Sequence, residues 1–516
     1  MEGRDDFQSI LPFLPVILRS SAVFWPPSAV EALNSLSKGP SHSNVNSGQL
    51  LVLALADLRN SVGLRSLHPS ASLGFSLFFD DLMNKDEAQK WFQQVVPQLA
   101  DLLLRLPALL DYHYQNVGAS NGTATGLRLL RSQQSGIVFL SQELIAALLG
   151  CALFCLFPTA NRGPKHLPPI NFDDLFASFP YNVAYKRDSS EVRQVFDAIC
   201  SFPGVCAKMP AGNVSFERKV LHLMNSPSGI VYPENDYWSK SKVPLCRLEV
   251  QTTGLIEDQP MEALEVDFAN KYIGGGALSR GCVQEEIRFM INPELIVSTL
   301  FLPSMADNEA IEIVGAERFS SYTGYANSFR FSGDYVDQKS FDTMERRKTR
   351  IIAIDALCNP GKRQYRRECL LRETNKAFCG FLDQHKSTNY ILSTTNQENE
   401  GQMHEIGVAT GNWGCGAFGG DPQVKAIIQW LAASQAQRPF ILYHTFSLEP
   451  LQKLERVVEW IMSQEWTVGE LWNILVEYST HRLRGETTIG LFRWLIPSLY
   501  NDDDDDPMSV DAPHTN

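Results

Sequence analysis

The chain has 516 residues, an apolar share of 44% and a charged share of 20%, ordinary values for a globular protein of two or three domains. Its formal net charge of −13 excludes a general basic surface for holding nucleic acid, so a polyanionic ligand requires a local binding site. Acids at Glu2, Asp5 and Asp6, and prolines that interrupt the apolar run after them, predict no secretion signal.

Residues 1–205 are predicted to form an all-helical accessory domain. The segment 86–110 has apolar residues at helical spacing, with Pro97 as the position of a break or kink. A second long helix is predicted over 137–157. Its most apolar part, residues 144–157, is too short to cross a bilayer, so we expect a buried core helix and no membrane partner.

Residues 206–498 show a different pattern, in which short β-rich runs alternate with helical ones. This alternation predicts an α/β domain with a mixed sheet flanked by helices. The polar stretch 383–405 is predicted to be a surface insertion, and residues 499–516 an acidic disordered tail. The predicted strands cover residues 245–250, 263–269, 310–316, 350–356 and 439–446, and two predicted helices cover residues 293–302 and 422–435.

The cysteines and the basic clusters carry weaker signals. The ten cysteines contain no CxxC pair, so we interpret them as reduced thiols and predict no metal site. Two basic clusters, ERRKTR at 345–350 and KRQYRR at 362–367, could be nuclear import signals. Solvated loop or helix faces are the favoured interpretation of both.

The stretch VDFANKYIGGGALSRGCVQEE places a glycine triplet, Gly274, Gly275 and Gly276, close to two adjacent acids, Glu285 and Glu286. Such a triplet lets the backbone approach a ligand closely, although a flexible surface turn explains it equally well. Adjacent carboxylates compete for ionisation, so one of them can hold a proton near neutral pH, as glycosidic bond cleavage requires. Because neighbouring side chains do not share a helix face, we expect two different roles. The alternative is an acidic first helical turn that complements the helix dipole.

A second glycine cluster, GNWGCGAFGGD at residues 411–421, lies between a short strand and a helix with Asp421 as its N-cap and Pro422 as its first residue. Strand, glycine loop and helix N-terminus together predict an anion site suited to a diphosphate. A match to GxGxxG makes a dinucleotide-dependent oxidoreductase an alternative. Against it, the motif lies late in the chain, and the next predicted strand does not end in the acidic residue that dinucleotide-binding folds use. Tyr325 and Phe446 could stack on an adenine or belong to the core.

These motifs, in this order, resemble the signature of the poly(ADP-ribose) glycohydrolase family, and the chain is most similar in form to the plant members. The resemblance implies a macrodomain with an ADP-ribose cleft, joined to an N-terminal helical domain. Ser447 departs from the pattern, because the family usually has glycine there. The resemblance rests on GLIED at 254–258, VDFANKYIGGG at 266–276, QEEIRFMINPEL at 284–295, GAERFSSYTGYA at 315–326, ATGNWGCGAFGGD at 409–421 and LSQELIAALLGCALFCLFP at 140–158.

The resemblance also implies roles for individual residues. Glu286 would protonate the leaving 2′-oxygen and later activate water. Glu285 and Asn270 would hold ribose hydroxyls, and Asp267 would support the catalytic loop. The remaining implied contacts are Gly274, Gly275 and Gly276 around the terminal ADP-ribose, Gln284 at the start of the catalytic loop, Ile256 and Glu257 at the adenine, Asn412, Trp413, Gly414, Cys415, Gly416 and Ala417 at the diphosphate, and the aromatic residues Tyr325, Phe418 and Phe446.

Three functions remain in view. The first is hydrolysis of the ribose–ribose O-glycosidic bonds of poly(ADP-ribose) on modified proteins, releasing ADP-ribose with no metal or redox cofactor, since two carboxylates and a water suffice. The second is a non-catalytic ADP-ribose-binding macrodomain. Such a module would not need the paired acids, so their presence favours the enzyme. The third is an NAD-dependent oxidoreductase. The resemblance further implies a place in the nucleus and cytoplasm and in the response to DNA damage, and no direct DNA binding is expected.

Overall fold

The computed structural model of the chain describes residues 3–118, 125–160, 162, 167–183, 212–223, 230–259, 261–383 and 406–500. The predicted domain boundary at residue 205, most of the polar insertion and the tail from residue 501 lie outside these ranges and stay predictions. The chain divides into two compact units. The first unit comprises Met1–Val220 and Asp267–Asp355, and the second comprises Leu221–Val266 and Ala356–Asn516.

Helices dominate the N-terminal half of the chain, as predicted. Pro97, where a break or kink is predicted, lies in the first turn of the helix Val96–Gln115, directly after a π-helical turn, Trp91–Val95, so the chain stays helical there and the type of helix changes. Proline suits a first turn because its missing N–H would have no partner there. The α-helices of this half are Asp5–Ile10, Pro27–Ser37, Pro40–Ser43, Gly48–Ser61, Pro69–Ser76, Lys85–Lys90, Val96–Gln115, Gln142–Leu153 and Asp173–Val183.

The prediction of one helix over 137–157 is wrong at its start. Residues Gly136–Ser141 form a strand, and the helix covers only Gln142–Leu153. The β-branched and aromatic residues of the strand favour extended backbone, and Ser141 then caps the helix by accepting the Leu144 N–H at 3.3 Å. The helix is buried along its length, which confirms the predicted core helix. None of the helices in the described ranges combines the length and apolar character that crossing a membrane demands.

All five strands predicted after residue 206 are confirmed, with ends that differ by up to three residues. The helix predicted over 422–435 is confirmed as Pro422–Gln435, whereas residues 293–302 contain a 3-10 helix, Pro293–Leu300. The other α-helices here are Asn235–Ser239, Gln284–Ile291, Arg367–Phe381, Leu454–Ser463, Val468–Arg484 and Leu491–Leu495. In chain order the strands are β1 Ile17–Arg19, β2 Ala22–Phe24, β3 Gly136–Ser141, β4 Asn213–Val220, β5 Arg247–Gln251, β6 Ala263–Asp267, β7 Glu309–Val314, β8 Ser320–Thr323, β9 Arg330–Asp334, β10 Arg350–Ala353, β11 Gly407–Gly411 and β12 Phe440–His444.

In the first unit, strands β3, β4, β7 and β10 lie side by side in that order, and each neighbouring pair is antiparallel. The N-terminal helices and the chain after Asp267 contribute to one hydrophobic core. Leu130 donates its N–H to the Phe301 carbonyl at 3.0 Å, and the rings of Phe216 and Phe301 meet edge to face at 5.3 Å. The segment that follows the paired acids is therefore packed into the helical half.

In the second unit, strands β6, β11, β12 and β5 lie side by side in that order, and the pairs are parallel. Gly411, His444 and Gln251 stand opposite one another at the carboxyl ends of their strands. The loops after these three strands consequently leave the sheet at one edge, which is where parallel sheets place ligands. Antiparallel and parallel strands both occur with helices, as the mixed α/β prediction requires.

Candidate active site

Asp267, the last residue of β6, has a buried carboxylate. Neither of its oxygens has a hydrogen-bond partner within the described ranges. Burial raises the pKa of Asp267 to about 7, the nearby Arg288 cation opposes the rise, and the charge of Glu286 adds to it. A buried acid with a near-neutral pKa at the end of a strand is typical of a functional site.

The QEE motif begins the helix Gln284–Ile291, and all three of its polar side chains turn back onto the preceding backbone. The Gln284 side chain accepts the Phe268 N–H at 2.8 Å. This bond ties the helix start to the chain directly after Asp267.

The two glutamates are held by different parts of the glycine loop. Glu285 accepts the N–H groups of Asn270 at 2.8 Å and Gly274 at 2.7 Å. Glu286 accepts the N–H of Gly276 at 2.9 Å with one oxygen and that of Val283 at 2.9 Å with the other. Four backbone donors therefore position the two carboxylates before any ligand is present.

Gly275 shows why this loop needs glycine. Its φ is +49°, and a Cβ on it would lie 2.5 Å from a Glu285 oxygen and 2.6 Å from a Glu286 oxygen. Both carboxylates converge on Gly275, although neighbouring residues do not share a helix face. Side chains in a first turn point back toward the helix N-terminus, which lets two neighbours reach the same loop. Their different backbone partners still leave them in different positions.

The acid pair and Asp267 form one electrostatic cluster. Burial raises the pKa of Glu285 well above its usual range, and the charges of Asp267 and Glu286 raise it further. A raised pKa favours the protonated form of Glu285 near neutral pH. This agrees with the expectation, drawn from the sequence, that one acid of the pair holds a proton. The acid implied by the family resemblance is the neighbouring Glu286.

Tyr325 follows strand β8 in the hairpin that β8 forms with β9, and its side chain is half exposed. The Ser328 hydroxyl and N–H both bond the Tyr325 backbone, at 2.8 and 3.0 Å, which fixes the turn. The Tyr325 phenol lies near the Gln284 backbone and near Glu286, and burial raises its pKa. Tyr322, in contrast, packs against Phe329 at 5.3 Å. Of the two tyrosines, Tyr325 is the one available to a ligand at the acid cluster.

The glycine loop at 411–421 leaves the carboxyl end of β11. Within it, Gly420 donates its N–H to the Gly414 carbonyl at 2.9 Å, which closes a tight turn. The N–H groups of Gly416 and Ala417 donate to nothing in the part of the chain that the structure describes. These exposed donors suit an anion.

At the predicted anion site, the N-terminus of the helix Pro422–Gln435 already has a carboxylate partner. Asp421 is the N-cap, as predicted, and its own carboxylate accepts the N–H groups of Gln423 at 3.0 Å and Val424 at 3.3 Å. A carboxylate already neutralises this end of the helix. Among the described residues of the loop, the N–H groups of Gly416 and Ala417 stay open to an anion.

The Trp413 side chain packs beneath the surface of the glycine loop, in the protein interior. Its side chain is completely buried, and the Lys425 ammonium lies 3.9 Å from its ring centroid. Lys425 also pairs with the buried carboxylate of Glu373, and a Cβ on Gly414 would lie 3.1 Å from the ammonium. The Trp413 side chain therefore has a structural position, and only its backbone borders the loop surface. Sequence reasoning missed Lys425 and Glu373, which no motif distinguishes from surface charges.

The other loop residues differ in exposure. Asn412 is tied to the strand edge by its amide, which donates to the Thr445 carbonyl at 3.0 Å. Cys415 is partly buried, with its thiol bonded to the Trp413 carbonyl at 3.4 Å. Phe418 is partly buried and accepts the Asn359 N–H at 2.9 Å through its carbonyl.

Phe446 follows β12 at the same edge of the second unit's sheet and is 45% exposed. It has a φ of +50° and Ser447 one of +54°, so the chain here takes a left-handed turn that glycine would adopt without strain. This geometry accounts for the glycine that the family usually has in place of Ser447. Buried His444 lies against Phe446, with ring centroids 5.9 Å apart, and bonds Gln259 at 2.9 Å.

Ile256 and Glu257 form a 3-10 turn, Ile256–Asp258, in the loop that follows β5. Ile256 is buried and Glu257 is partly exposed. The predicted site residues thus fall into two groups. Asp267, Asn270, the glycine triplet, QEE and Tyr325 lie together in the first unit, and Ile256, Glu257, the residues 412–418 and Phe446 lie at one sheet edge of the second unit.

Comparison with known proteins places both halves of the chain in one family. A family model described as poly(ADP-ribose) glycohydrolase, Macro domain fold, matches residues 235–453, and one described as poly(ADP-ribose) glycohydrolase, helical domain, matches residues 83–218. The predicted combination of a macrodomain-type α/β fold with an N-terminal helical domain is confirmed.

Similar curated proteins agree. Poly(ADP-ribose) glycohydrolase 1 of Arabidopsis thaliana is 52% identical over 97% of this chain and 98% of its own length. Probable poly(ADP-ribose) glycohydrolase 2 of Arabidopsis thaliana is 49% identical over 97% of this chain and its full length. Poly(ADP-ribose) glycohydrolase 1 of Caenorhabditis elegans is 36% identical over 47% of this chain and 30% of its own length. The chain therefore belongs to the poly(ADP-ribose) glycohydrolase family.

Proposed function

We propose that this protein hydrolyses the ribose–ribose O-glycosidic bonds of poly(ADP-ribose) on modified proteins and releases ADP-ribose. The observation that carries the proposal is the acid cluster, in which four backbone N–H groups hold Glu285 and Glu286 against a glycine loop beside buried Asp267. A protein that only recognised ADP-ribose would gain nothing from three crowded carboxyl groups, which cost stability.

The cluster supplies the two things that glycosidic cleavage needs. Its carboxyl groups repel one another, so full ionisation near neutral pH is unfavourable and a proton is retained. In our proposal the proton that the cluster retains is carried by Glu286 when polymer is bound. Glu286 delivers this proton to the leaving 2′-oxygen and afterwards takes one from the attacking water, which restores its starting state. The negative charge that remains in the cluster stabilises the cation-like sugar in between.

Within each unit, some of the site residues present groups suited to one part of the ligand. Tyr325 and Phe446 each expose about half of their surface, so either ring can cover an aromatic or ribose face. The free N–H groups of Gly416 and Ala417 would bind the diphosphate. Glu285 and Asn270 would hold ribose hydroxyls.

The test uses automodified, radiolabelled poly(ADP-ribose) and identifies the product formed by the full chain. We expect free ADP-ribose. Glu286→Gln should lower hydrolysis by about 10²- to 10⁴-fold, because an amide cannot transfer the proton. The same variant should retain ADP-ribose affinity in calorimetry. Hydrolysis at the wild-type rate by Glu286→Gln would overturn the assignment of the acid, and an inactive wild type would overturn the proposed function.

Cellular context extends this proposal. We infer residence in the nucleus and cytoplasm and action on polymer made after DNA damage, supported by family membership alone, and we propose no DNA or membrane ligand. Imaging of a fluorescent fusion in cells before and after DNA damage tests this inference. Exclusion of the fusion from the nucleus under both conditions would contradict it.

A further inference from the structure

The two basic clusters, which look alike in the sequence, differ in the structure. In ERRKTR, Arg346 pairs with Asp342 at 2.7 Å, and Arg347 pairs with Glu317 at 2.9 Å. The arginine side chains of these pairs are only 13% and 15% exposed. This cluster is a set of structural ion pairs, so the interpretation as a solvated face is wrong for it.

The second cluster, KRQYRR, is open to solvent. Lys362, Arg363, Arg366 and Arg367 are all exposed, and none of the four has an ion-pair partner within the described ranges. Residues 361–371 contain one acid, Glu368, beside these four cations, which gives a local charge of +3 in a chain of net −13. Unpaired cations of this density attract polyanions. We call these four side chains the basic patch.

The basic patch is attached to the glycine loop at 411–421. The Gln364 side chain accepts the Asp421 N–H at 2.6 Å, and the Tyr365 hydroxyl donates to the Asp421 carboxylate at 2.8 Å. Tyr365 is buried, so it anchors the 3-10 turn Gly361–Tyr365 from inside while the charged residues around it face out. The spatial relation between the cations and the loop is thus fixed by direct bonds.

We propose that the basic patch binds diphosphate groups of poly(ADP-ribose) units outside the cleft. This inference rests on the proposed function and extends it from the terminal unit to the rest of the polymer. Each polymer unit carries a diphosphate, and guanidinium groups bind phosphate oxygens in a bidentate manner. Because the patch is bonded to the loop proposed for one diphosphate, it lies where neighbouring diphosphates of a bound chain would pass. ADP-ribose alone has a single diphosphate, which the proposed function already assigns to the loop.

Replacing Lys362, Arg363, Arg366 and Arg367 by glutamine in the full chain tests the proposal. We expect KM for long polymer to rise on the order of tenfold at low salt. The dependence of log KM on log salt concentration should become shallower by about 0.7 for each phosphate that the variant no longer neutralises. Affinity for ADP-ribose should stay within a factor of about two, because its single diphosphate binds at the loop.

A matched control replaces four exposed cations elsewhere by glutamine, namely Lys38, Lys85, Lys90 and Arg456. It changes the net charge equally and should leave KM for polymer unaltered. An equal rise of KM in both variants, or no rise in the patch variant, would overturn the proposal. Slower nuclear entry of the patch variant with unchanged KM would assign the cluster to an import receptor and would equally overturn it.

Direct binding separates this inference from the proposed function. Polymer affinity is measured on Glu286→Gln, with and without the four patch substitutions, so that no hydrolysis is needed. Weaker polymer binding with the patch removed would support the site even if the wild type did not hydrolyse polymer. Equal polymer binding would overturn the site even if it did.

Discussion

Gly275 decides how close the two glutamates come to the loop backbone. The atoms that a Cβ would meet are carboxylate oxygens, the far ends of flexible side chains, so the protein can yield by moving them. The position of the acids, rather than the fold, is what this glycine protects.

Gly275→Ala is expected to lower hydrolysis on the order of 10²-fold, because both carboxylates must move away from their N–H donors. The positive φ adds a stability cost of about 1 kcal/mol. Gly63→Ala is the matched control, since Gly63 also has a positive φ, +76°, and no atom within 4 Å of its added Cβ. Kinetics and urea denaturation on both variants check this. A comparable loss of hydrolysis in Gly63→Ala would contradict the role given to the Gly275 contacts.

At the scale of elements, the helix Pro422–Gln435 depends on its N-cap, and the glycine loop ends where that cap begins. Asp421 accepts two helix N–H groups and the Tyr365 hydroxyl, so one carboxylate joins the loop, the helix and the turn that carries the basic patch.

Asp421→Ala should lower the free energy of unfolding by about 1–2 kcal/mol, the usual cost of losing an N-cap. Asp421→Asn keeps an oxygen that can accept the same N–H groups, so it should cost much less. Urea denaturation of the two variants distinguishes them. An equal loss in both would show that the charge, and not the cap, is responsible.

Sequence patterns predicted those elements whose signal is local. The strands β5, β6, β7, β10 and β12 have apolar runs of strand length, and Asp421 with Pro422 marks a helix start by chemistry that needs no tertiary contact. The glycine triplet and QEE were recognisable for the same reason.

Other features depended on partners distant in the chain. Strand β3 pairs with β4, more than 70 residues later in the chain, and without that partner its own residues predict a helix. Trp413 is buried against Lys425, which in turn pairs with Glu373. No sequence motif predicts that these three residues lie together. The raised pKa of Glu285 depends on burial and on the charge of Asp267, and two adjacent glutamates in a sequence do not show either.

At the scale of the first unit, Glu294 links the helical half to the chain after the acids. Its buried carboxylate accepts the Gln142 side-chain N–H at 2.8 Å and the Glu317 N–H at 2.7 Å. Burial raises the pKa of Glu294 to about 8 from an ordinary 4.5. The folded state therefore keeps a proton that the unfolded chain releases as pH rises above that ordinary value. The stability that Glu294 contributes is full at low pH and is lost as pH rises toward about 8.

Glu294→Gln cannot titrate, so its free energy of unfolding relative to the wild type should increase between about pH 5 and pH 8. Chemical denaturation at several pH values in this window measures the difference. The exposed Glu459→Gln serves as a control and should run parallel to the wild type. A flat difference for Glu294→Gln would mean that the Glu294 carboxyl is ionised throughout the window in the folded protein.

A fragment beginning at residue 206 would contain Asp267, Glu285 and Glu286, and we still expect it to be a poor enzyme. Leu295, Leu300 and Phe301, all fully buried, belong to a core whose other side chains come largely from the N-terminal helices. Removing those helices would expose a broad apolar surface directly behind the loop, and such surfaces drive aggregation. Deleting the N-terminal helices is therefore not a way to obtain a smaller active protein. A smaller variant would have to be made by shortening loops outside that core.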